Sequence, residues 1–257
     1  TTQHKMTQLE TLIQTLCPNG VKFVKLGEVG EFYGGLSGKT KEDFKDGNAK
    51  FITYKNIYSN LSLDIDVEDK VFVAEGEKQN TVQYGDVLFT GSSETPDECG
   101  MSSVLTTPTD EKLYLNSFCF GWRLFDKSIY LPDFLKHLFR CSSIRKEIGK
   151  TASGVTRFNV SKKKMQELQI PLPPLAVQSE IVRVLDKFTL HKAELAAELA
   201  ARLRQYEYYR DKLLTFDDTV KRVKLGEVGE FIRGNGLQKK DFVDEGFPCI
   251  HYGHIHT

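Results

Sequence analysis

From Ala176 to Leu214 the chain runs without a proline or a glycine, and alanine, leucine, glutamate, lysine and arginine dominate it, a composition with strong helix propensity. Alternate steps of four and three residues land on Ile181, Leu185, Phe188, Lys192, Leu195, Leu199, Arg202, Tyr206, Tyr209 and Leu213, eight of ten apolar. The spacing predicts one long helix with a coiled-coil seam. Such a helix spans on the order of 55 Å, longer than a small domain is wide, so part of its stripe must meet another helix. The alternative is a long core helix of a single domain. Just before it, Ile170-Pro-Leu-Pro-Pro174 must be extended, because proline disfavours a helical conformation in the residue before it. That stretch marks a domain edge.

Upstream, the period shortens. Lys50 to Tyr54, Val71 to Ala74, Val87 to Thr90 and Ser117 to Leu124 are β-branched or aromatic runs bounded by turn residues such as Tyr84-Gly85-Asp86, and they predict strands. Leu131-Pro132-Asp133 opens a helix whose apolar side is Phe134, Leu135, Leu138, Phe139, Ile144 and Ile148, with Gly149 as its stop. A loop from Lys150 to Asn159 is expected to follow. Strands mixed with a helix make the fold class α+β.

The segment Val24-Lys-Leu-Gly-Glu-Val-Gly-Glu-Phe32 recurs unchanged as Val223 to Phe231. After a single-residue gap, Asp43-Phe44 matches Asp241-Phe242, and Ile52, Tyr54 and Ile57 fall on Ile250, Tyr252 and Ile255. A period of about 200 residues is far too long for a solenoid, so it reads as duplication of a whole domain. The expected organisation is an N-terminal helical segment over residues 1–20, a first domain over 21–172, a spacer helix over 173–216, and the start of a second domain over 217–257.

With 257 residues, a core large enough to fold unaided is available. Thirty-five basic residues balance thirty-five acidic ones, so no global field points to a polyanion or a membrane and any such site must be local. Cys17, Cys99, Cys119, Cys141 and Cys249 are odd in number and form no C-x-x-C, which argues against a disulfide framework or a zinc knuckle and fits a reducing cytoplasm. The start of the chain is polar, and no apolar run approaches the roughly 18 residues of a membrane span.

Local charge is uneven. Lys136 to Lys164 holds nine basic residues (Lys136, Arg140, Arg145, Lys146, Lys150, Arg157, Lys162, Lys163 and Lys164) and one acid, while Asp64 to Glu77 holds six acids and one lysine. A domain so polarised presents one face to phosphates, although two solvated faces would look the same. Beside Arg157, the side chains of Thr151, Ser153, Thr156 and Asn159 suit phosphate and base-edge hydrogen bonds. A second set, Tyr54, Lys55, Asn56 and Tyr58, combines stacking rings with an amide able to read adenine. A third is the polar turn carrying Ser92 and Ser93. Candidate nucleic-acid contacts are therefore Lys39, Tyr54, Lys55, Asn56, Tyr58, Ser92, Ser93, Lys150, Ser153, Thr156, Arg157, Asn159 and Lys162. The seam candidates for a partner helix are Ile181, Leu185, Phe188, Leu195, Leu199, Tyr206 and Leu213.

No catalytic or metal residue is expected. The run Gly34 to Thr40 resembles a phosphate loop, but the spacing needs glycine where Tyr33 stands. Asp97, Asp110 and Lys112 meet a loose magnesium-endonuclease pattern, yet Pro96-Asp97 lies in a turn-rich stretch where that pattern wants a strand. His251, His254 and His256 align with Thr53, Asn56 and Tyr58, and so read as the second copy of that loop. Neither an Asn/Asp-Pro-Pro-Tyr motif nor a glycine-rich cofactor loop is present.

The run Gly154-Val-Thr-Arg-Phe-Asn-Val-Ser161, then Leu168-Gln-Ile-Pro-Leu-Pro-Pro-Leu-Ala-Val-Gln178 leading into Ile181 and Leu185, resembles the junction of a target recognition domain with the central conserved helix of a type I restriction-modification specificity subunit. Lys25 to Val29, Phe51 to Ile57 and Gly85 to Phe89 resemble other recurrent stretches of that family. The resemblance implies a globular mixed-sheet DNA recognition domain followed by a long coiled-coil-forming helix. It also implies that the chain is non-catalytic and reads one half of a split double-stranded target. Its helix would bind modification subunits that carry S-adenosylmethionine, and through them restriction subunits, in defence against foreign DNA. The chain ends early in the second recognition domain. It is thus a fragment, or a half subunit that pairs with a copy of itself to read a palindromic split target; a seam costly to leave in water favours the latter. A stand-alone endonuclease and a scaffold that binds no DNA are the alternatives.

Overall fold

The computed structural model describes residues 7–250 except 235, 237, 239, 240 and 244. His251, His254 and His256, with Tyr252 and Ile255 of the repeat, lie outside the described residues. Two compact units divide between Ala196 and Ala197.

The elements in chain order begin with α1 (Gln8–Leu16), β1 (Lys22–Lys25), α2 (Leu26–Val29), β2 (Gly30–Gly34), β3 (Ala49–Ile52), α3 (Tyr54–Ser59), β4 (Lys70–Val71) and β5 (Thr81–Val82). Next come β6 (Val87–Thr90), β7 (Ser92–Ser93), β8 (Ser102–Val104), β9 (Leu113–Leu115), β10 (Cys119–Leu124), α4 (Pro132–Leu138) and α5 (Ser142–Thr151). The series closes with β11 (Ala152–Ser153), β12 (Phe158–Val160), α6 (Lys162–Gln166), β13 (Gln169–Leu172), α7 (Leu175–Leu214) and α8 (Leu225–Val228).

The first unit is α+β, as expected. One four-stranded antiparallel sheet has the order β2-β10-β6-β8, and a second sheet, β4-β3-β9-β5, contains the parallel pair β3 with β9. The main core lies between the first sheet and α4 to α6. There Trp122, Phe89, Phe139, Leu26, Ile148, Met165 and Ile170 are buried together, and the Phe139 ring stands edge-on to both Phe89 and Trp122. A smaller cluster of Ile52, Ile57, Leu88, Leu105, Leu113 and Leu115 fills the space toward the second sheet.

The helix expected from Leu131 is two helices. Phe139 caps α4, and Cys141 is extended (φ −69°, ψ 147°) before α5 begins. With Phe139 packed into the core, the break turns Arg140 to donate to the carbonyls of Ile57, Tyr58 and Asn60 at 2.8–3.1 Å and of Ser102 at 2.6 Å. Gly149 lies inside α5, which continues to Thr151.

Beside the proline-rich stretch, β1 and β13 pair antiparallel, Val24 opposite Ile170. The helix expected from Ala176 is observed from Leu175 to Leu214. Its start is fixed to the first unit by Gln178, which is fully buried. The Gln178 amide accepts from the Leu131 N–H and donates to the carbonyls of Ile129 and Pro173, all at 2.8–2.9 Å. A little over two turns further on, Asp186 meets His137 at 2.7 Å and Lys136 at 3.1 Å. Ile181 packs against the core, whereas Phe188, Leu195, Leu199, Tyr206 and Leu213 are 61–69% exposed.

In the second unit, α8 repeats the local form of α2. The preceding lysines have φ −77°, ψ 144° and φ −74°, ψ 142°, and each helix ends on an extended glycine. Leu26 is fully buried, while its counterpart Leu225 is 71% exposed.

An ionic cluster ties the two sheets. Asp86, 1% exposed, accepts from Arg123 at 2.9 and 2.6 Å, from the Tyr33 hydroxyl at 2.6 Å and from the Gln83 N–H at 2.8 Å. Burial, then the Asp86 charge, pushes the Tyr33 hydroxyl far above its ordinary pKa, and the bond to Asp86 raises that of Arg123. Asp86→Ala should destabilise the first unit by about 3 kcal/mol, because it leaves Arg123 half-buried without its anion; urea unfolding of the two chains measures it, and a loss below about 1 kcal/mol would contradict this account.

Candidate nucleic-acid interface

Thr53 decides the shape of one wall. The segment expected to be a loop from Thr53 to Asn60 is the helix α3, because the Thr53 hydroxyl accepts from the Asn56 N–H and caps it. This sets Tyr54 and Tyr58 one turn apart with their rings stacked at 6.2 Å. It also turns Asn56 inward. The Asn56 amide is 8% exposed, donates to the Asp64 carbonyl at 2.7 Å and accepts from the Asp64 N–H and the Asn60 amide. That residue braces the wall, and its amide is not presented for reading a base.

The opposite wall is a three-stranded sheet, β11-β12-β7, where the sequence suggested loops. Phe158 and Asn159 pair with Ser93 and Ser92, and Ala152 and Ser153 pair with Val160 and Asn159. Lys150 and Thr151 belong to α5. The turn between β11 and β12 depends on Gly154, whose φ is +150° and where a Cβ would collide with the Arg157 carbonyl. Arg157, delivered by that turn, donates from Nε to the Ser92 hydroxyl at 3.0 Å and lies 5.6 Å over the Phe118 ring.

Between the walls is an open cleft of about 540 Å³, lined by Tyr54, Lys55, Tyr58, Ser92, Ser93, Thr156 and Arg157, with Glu94 and Glu98. Seven of the thirteen candidate contacts are thereby brought together. Tyr54 crosses it, its hydroxyl donating to the Ser92 carbonyl at 2.9 Å. Of the other six, Lys39 is 7% exposed and paired with Glu77 at 2.6 Å, which removes its charge from the surface. Lys150 pairs with Glu147 at 2.6 Å, the Lys162 ammonium lies 5.8 Å from the Phe120 ring, and Asn159 donates to the Arg157 carbonyl. Ser153 and Asn159 are exposed on the hairpin, outside the cleft lining.

The basic run from Lys136 to Lys164 does not form one exposed face. Arg140 and Arg145 are turned inward, and Arg145 donates to the carbonyls of Asp97, Cys99 and Gly100. Burial pulls both guanidinium groups below the usual range, Arg140 to about 10, which leaves it charged at neutral pH. Lys136, 12% exposed, is held between Asp133 and Asp186. Lys146, Lys150, Arg157, Lys162, Lys163 and Lys164 remain exposed.

Glu98 and Phe118 escaped the sequence reading. Glu98 sits on the short 3-10 turn Pro96–Glu98, directly after Asp97, the residue that the loose magnesium pattern picks out. Among the described residues, no group of three or more histidine, cysteine or acidic side chains could hold a metal ion, and no helix is long and apolar enough to cross a membrane. The Asp97 carbonyl faces Arg145, whereas Lys112 lines a different cleft, beside β9.

The family model described as the type I restriction modification DNA specificity domain matches residues 18–205. The chain belongs to this specificity family. A stretch of 91 residues, 33% of this chain, is 45% identical to the Escherichia coli EcoR124I/EcoR124II type I restriction enzyme specificity subunit and covers 22% of it. A longer alignment, 81% of this chain at 25% identity, covers 52% of a putative type I specificity subunit of Mycoplasma pneumoniae. A solved chain from work on complex assembly and conformational transition in the type I system shares the fold, with a TM-score of 0.50 and 23% identity over 77% of this chain and 49% of that one. The specificity-family chain thus spans about half or less of the length of these relatives.

The cleft's acid is tuned by its neighbours. The Tyr58 hydroxyl donates to Glu98 at 2.8 Å and is the main reason the carboxyl lies below the usual glutamate range; the same bond raises the tyrosine. A depressed folded-state pKa contributes stability above the ordinary value and loses it as pH falls through the folded one. The Glu98 carboxyl should therefore titrate below a free glutamate in a carbon-13 NMR pH series, and Tyr58→Phe should move its midpoint upward. An unmoved midpoint would show that Tyr58 is not the cause.

Proposed function

We propose that this chain is the non-catalytic, sequence-reading component of a type I restriction-modification assembly, with double-stranded DNA as its ligand. The observation that carries this reading is convergence: α3, β7 and the β11–β12 turn, distant in sequence, place Tyr54, Lys55, Tyr58, Ser92, Ser93, Thr156 and Arg157 around one open cleft. Rings, hydroxyls and a guanidinium in one place supply stacking and base-edge contacts. Glu94 and Glu98 in the same cleft repel phosphate and favour base-edge donors such as the cytosine amino group. Phosphates fall to Lys146, Lys150, Lys162, Lys163 and Lys164, which face solvent outside the cleft.

The first unit reads one half of a split target, and α7 recruits modification subunits that hold S-adenosylmethionine and, through them, restriction subunits. The support is the exposed stripe of Phe188, Leu195, Leu199, Tyr206 and Leu213, apolar area that water disfavours. The same stripe serves self-association, so that two identical units read a palindromic split site. Protection against foreign DNA places the assembly in the cytoplasm.

Arg157→Ala should lower target affinity about ten- to a hundredfold with an unchanged melting temperature. The measurement is fluorescence anisotropy on a duplex selected from a random pool at about 150 mM salt, with and without a modification subunit, a condition that suppresses purely electrostatic binding. Equal affinity would remove Arg157 from the interface. Separately, Leu195→Glu with Leu199→Glu should abolish co-purification with modification subunits and leave a monomer in sedimentation, while the first unit keeps its melting temperature. Retained partner binding would move recruitment away from this stripe.

A further inference from the structure

We infer that Phe118 is a base-stacking residue of the DNA site, a reading that rests on the function proposed above. Phe118 lies in the turn between β9 and β10 and is 60% exposed. Its backbone is pinned on both sides. The Phe118 N–H donates to the Asn116 side-chain oxygen at 2.9 Å, the Cys119 N–H closes the turn on the Asn116 carbonyl at 3.0 Å, and the Phe118 carbonyl accepts from the Gly91 N–H at 2.8 Å. That last approach requires glycine, because a Cβ at position 91 would stand 2.6 Å from the Phe118 oxygen. A fixed backbone thus projects an apolar ring into water.

Two residues on, Phe120 is 4% exposed and stacked on Phe89. Core packing therefore explains Phe120 and leaves Phe118 without a reason. The Arg157 guanidinium lies over Phe118, 5.6 Å from the ring centroid, and its Nε bonds Ser92 in the cleft wall. The ring accordingly stands at the margin of the cleft, one residue removed from its lining. Its immediate company is cationic and hydrogen-bonding, which suits a nucleobase better than an apolar protein surface. A base has a π face whatever its identity, and stacking on an aromatic ring that is already held in place costs little ordering entropy. Arg157 can then remain on the ring or turn to a phosphate.

The test compares the full chain with Phe118→Ala, Phe118→Leu and Phe118→Trp on the duplex that the wild type selects, at one salt concentration. Stacking predicts that Phe118→Ala and Phe118→Leu weaken binding about ten- to a hundredfold, while Phe118→Trp retains it. With 2-aminopurine placed in turn at each position of the half-target, one position should change its fluorescence with the wild type and not with Phe118→Ala, all four proteins melting alike. Equal affinity of wild type and Phe118→Ala, wild-type affinity in Phe118→Leu, or no position that depends on residue 118 would each overturn the inference. So would loss of modification-subunit binding with DNA binding intact, which would assign the ring to a protein partner. A wild type that selects no target, alone or with a modification subunit, would sink the proposed function itself and this inference with it.

Discussion

The first unit is organised around the inward turn of the Arg140 guanidinium. Its donors meet the carbonyls at the end of α3 and that of Ser102 on β8, which are carbonyls a helix terminus and a sheet edge would otherwise leave to water. A helix of six residues is too short to hold itself together. Clamped at one end by Arg140 and capped at the other by Thr53, α3 becomes a rigid wall, and the positions of Tyr54 and Tyr58 follow. Arg145 does the same for the 3-10 turn that carries Glu98. One wall of the cleft and the turn that carries Glu98 thus hang on cations that do not line it.

This arrangement explains what could and could not be read from residues alone. The long helix was legible because nothing between Ala176 and Leu214 interrupts it, and its apolar period needs no tertiary information. Strand β6 was legible for the same reason. The break between α4 and α5 was not, since Phe139 and Arg140 fit an uninterrupted helical pattern as well as a corner; which one forms depends on a core that receives the ring and on carbonyls that receive the guanidinium.

The site was legible in its segments and misjudged in its chemistry. Three separated stretches were singled out, and the fold brings them to one cleft. Within them, Asn56 looked like a reader and is a brace, because its donors and acceptors meet Asp64 and Asn60. Lys39 and Lys136 looked like surface charge and are held by carboxylates. Counting charges along a chain cannot distinguish a cation that neutralises an internal partner from one that faces solvent. Phe118 falls inside the run from Ser117 to Leu124 that reads as a strand, whereas β10 begins at Cys119 and leaves it in the turn before, and nothing in that run distinguishes an exposed ring from a strand residue.

The pairing of β1 with β13 places Lys25 opposite Gln169. The chain therefore enters and leaves the sheet-bearing body of the first unit side by side, and the exit strand ends at Leu172, with two residues between it and α7. Mechanically the body is a cassette: its content can diverge or be replaced between those two points without changing the direction in which the chain meets the helix.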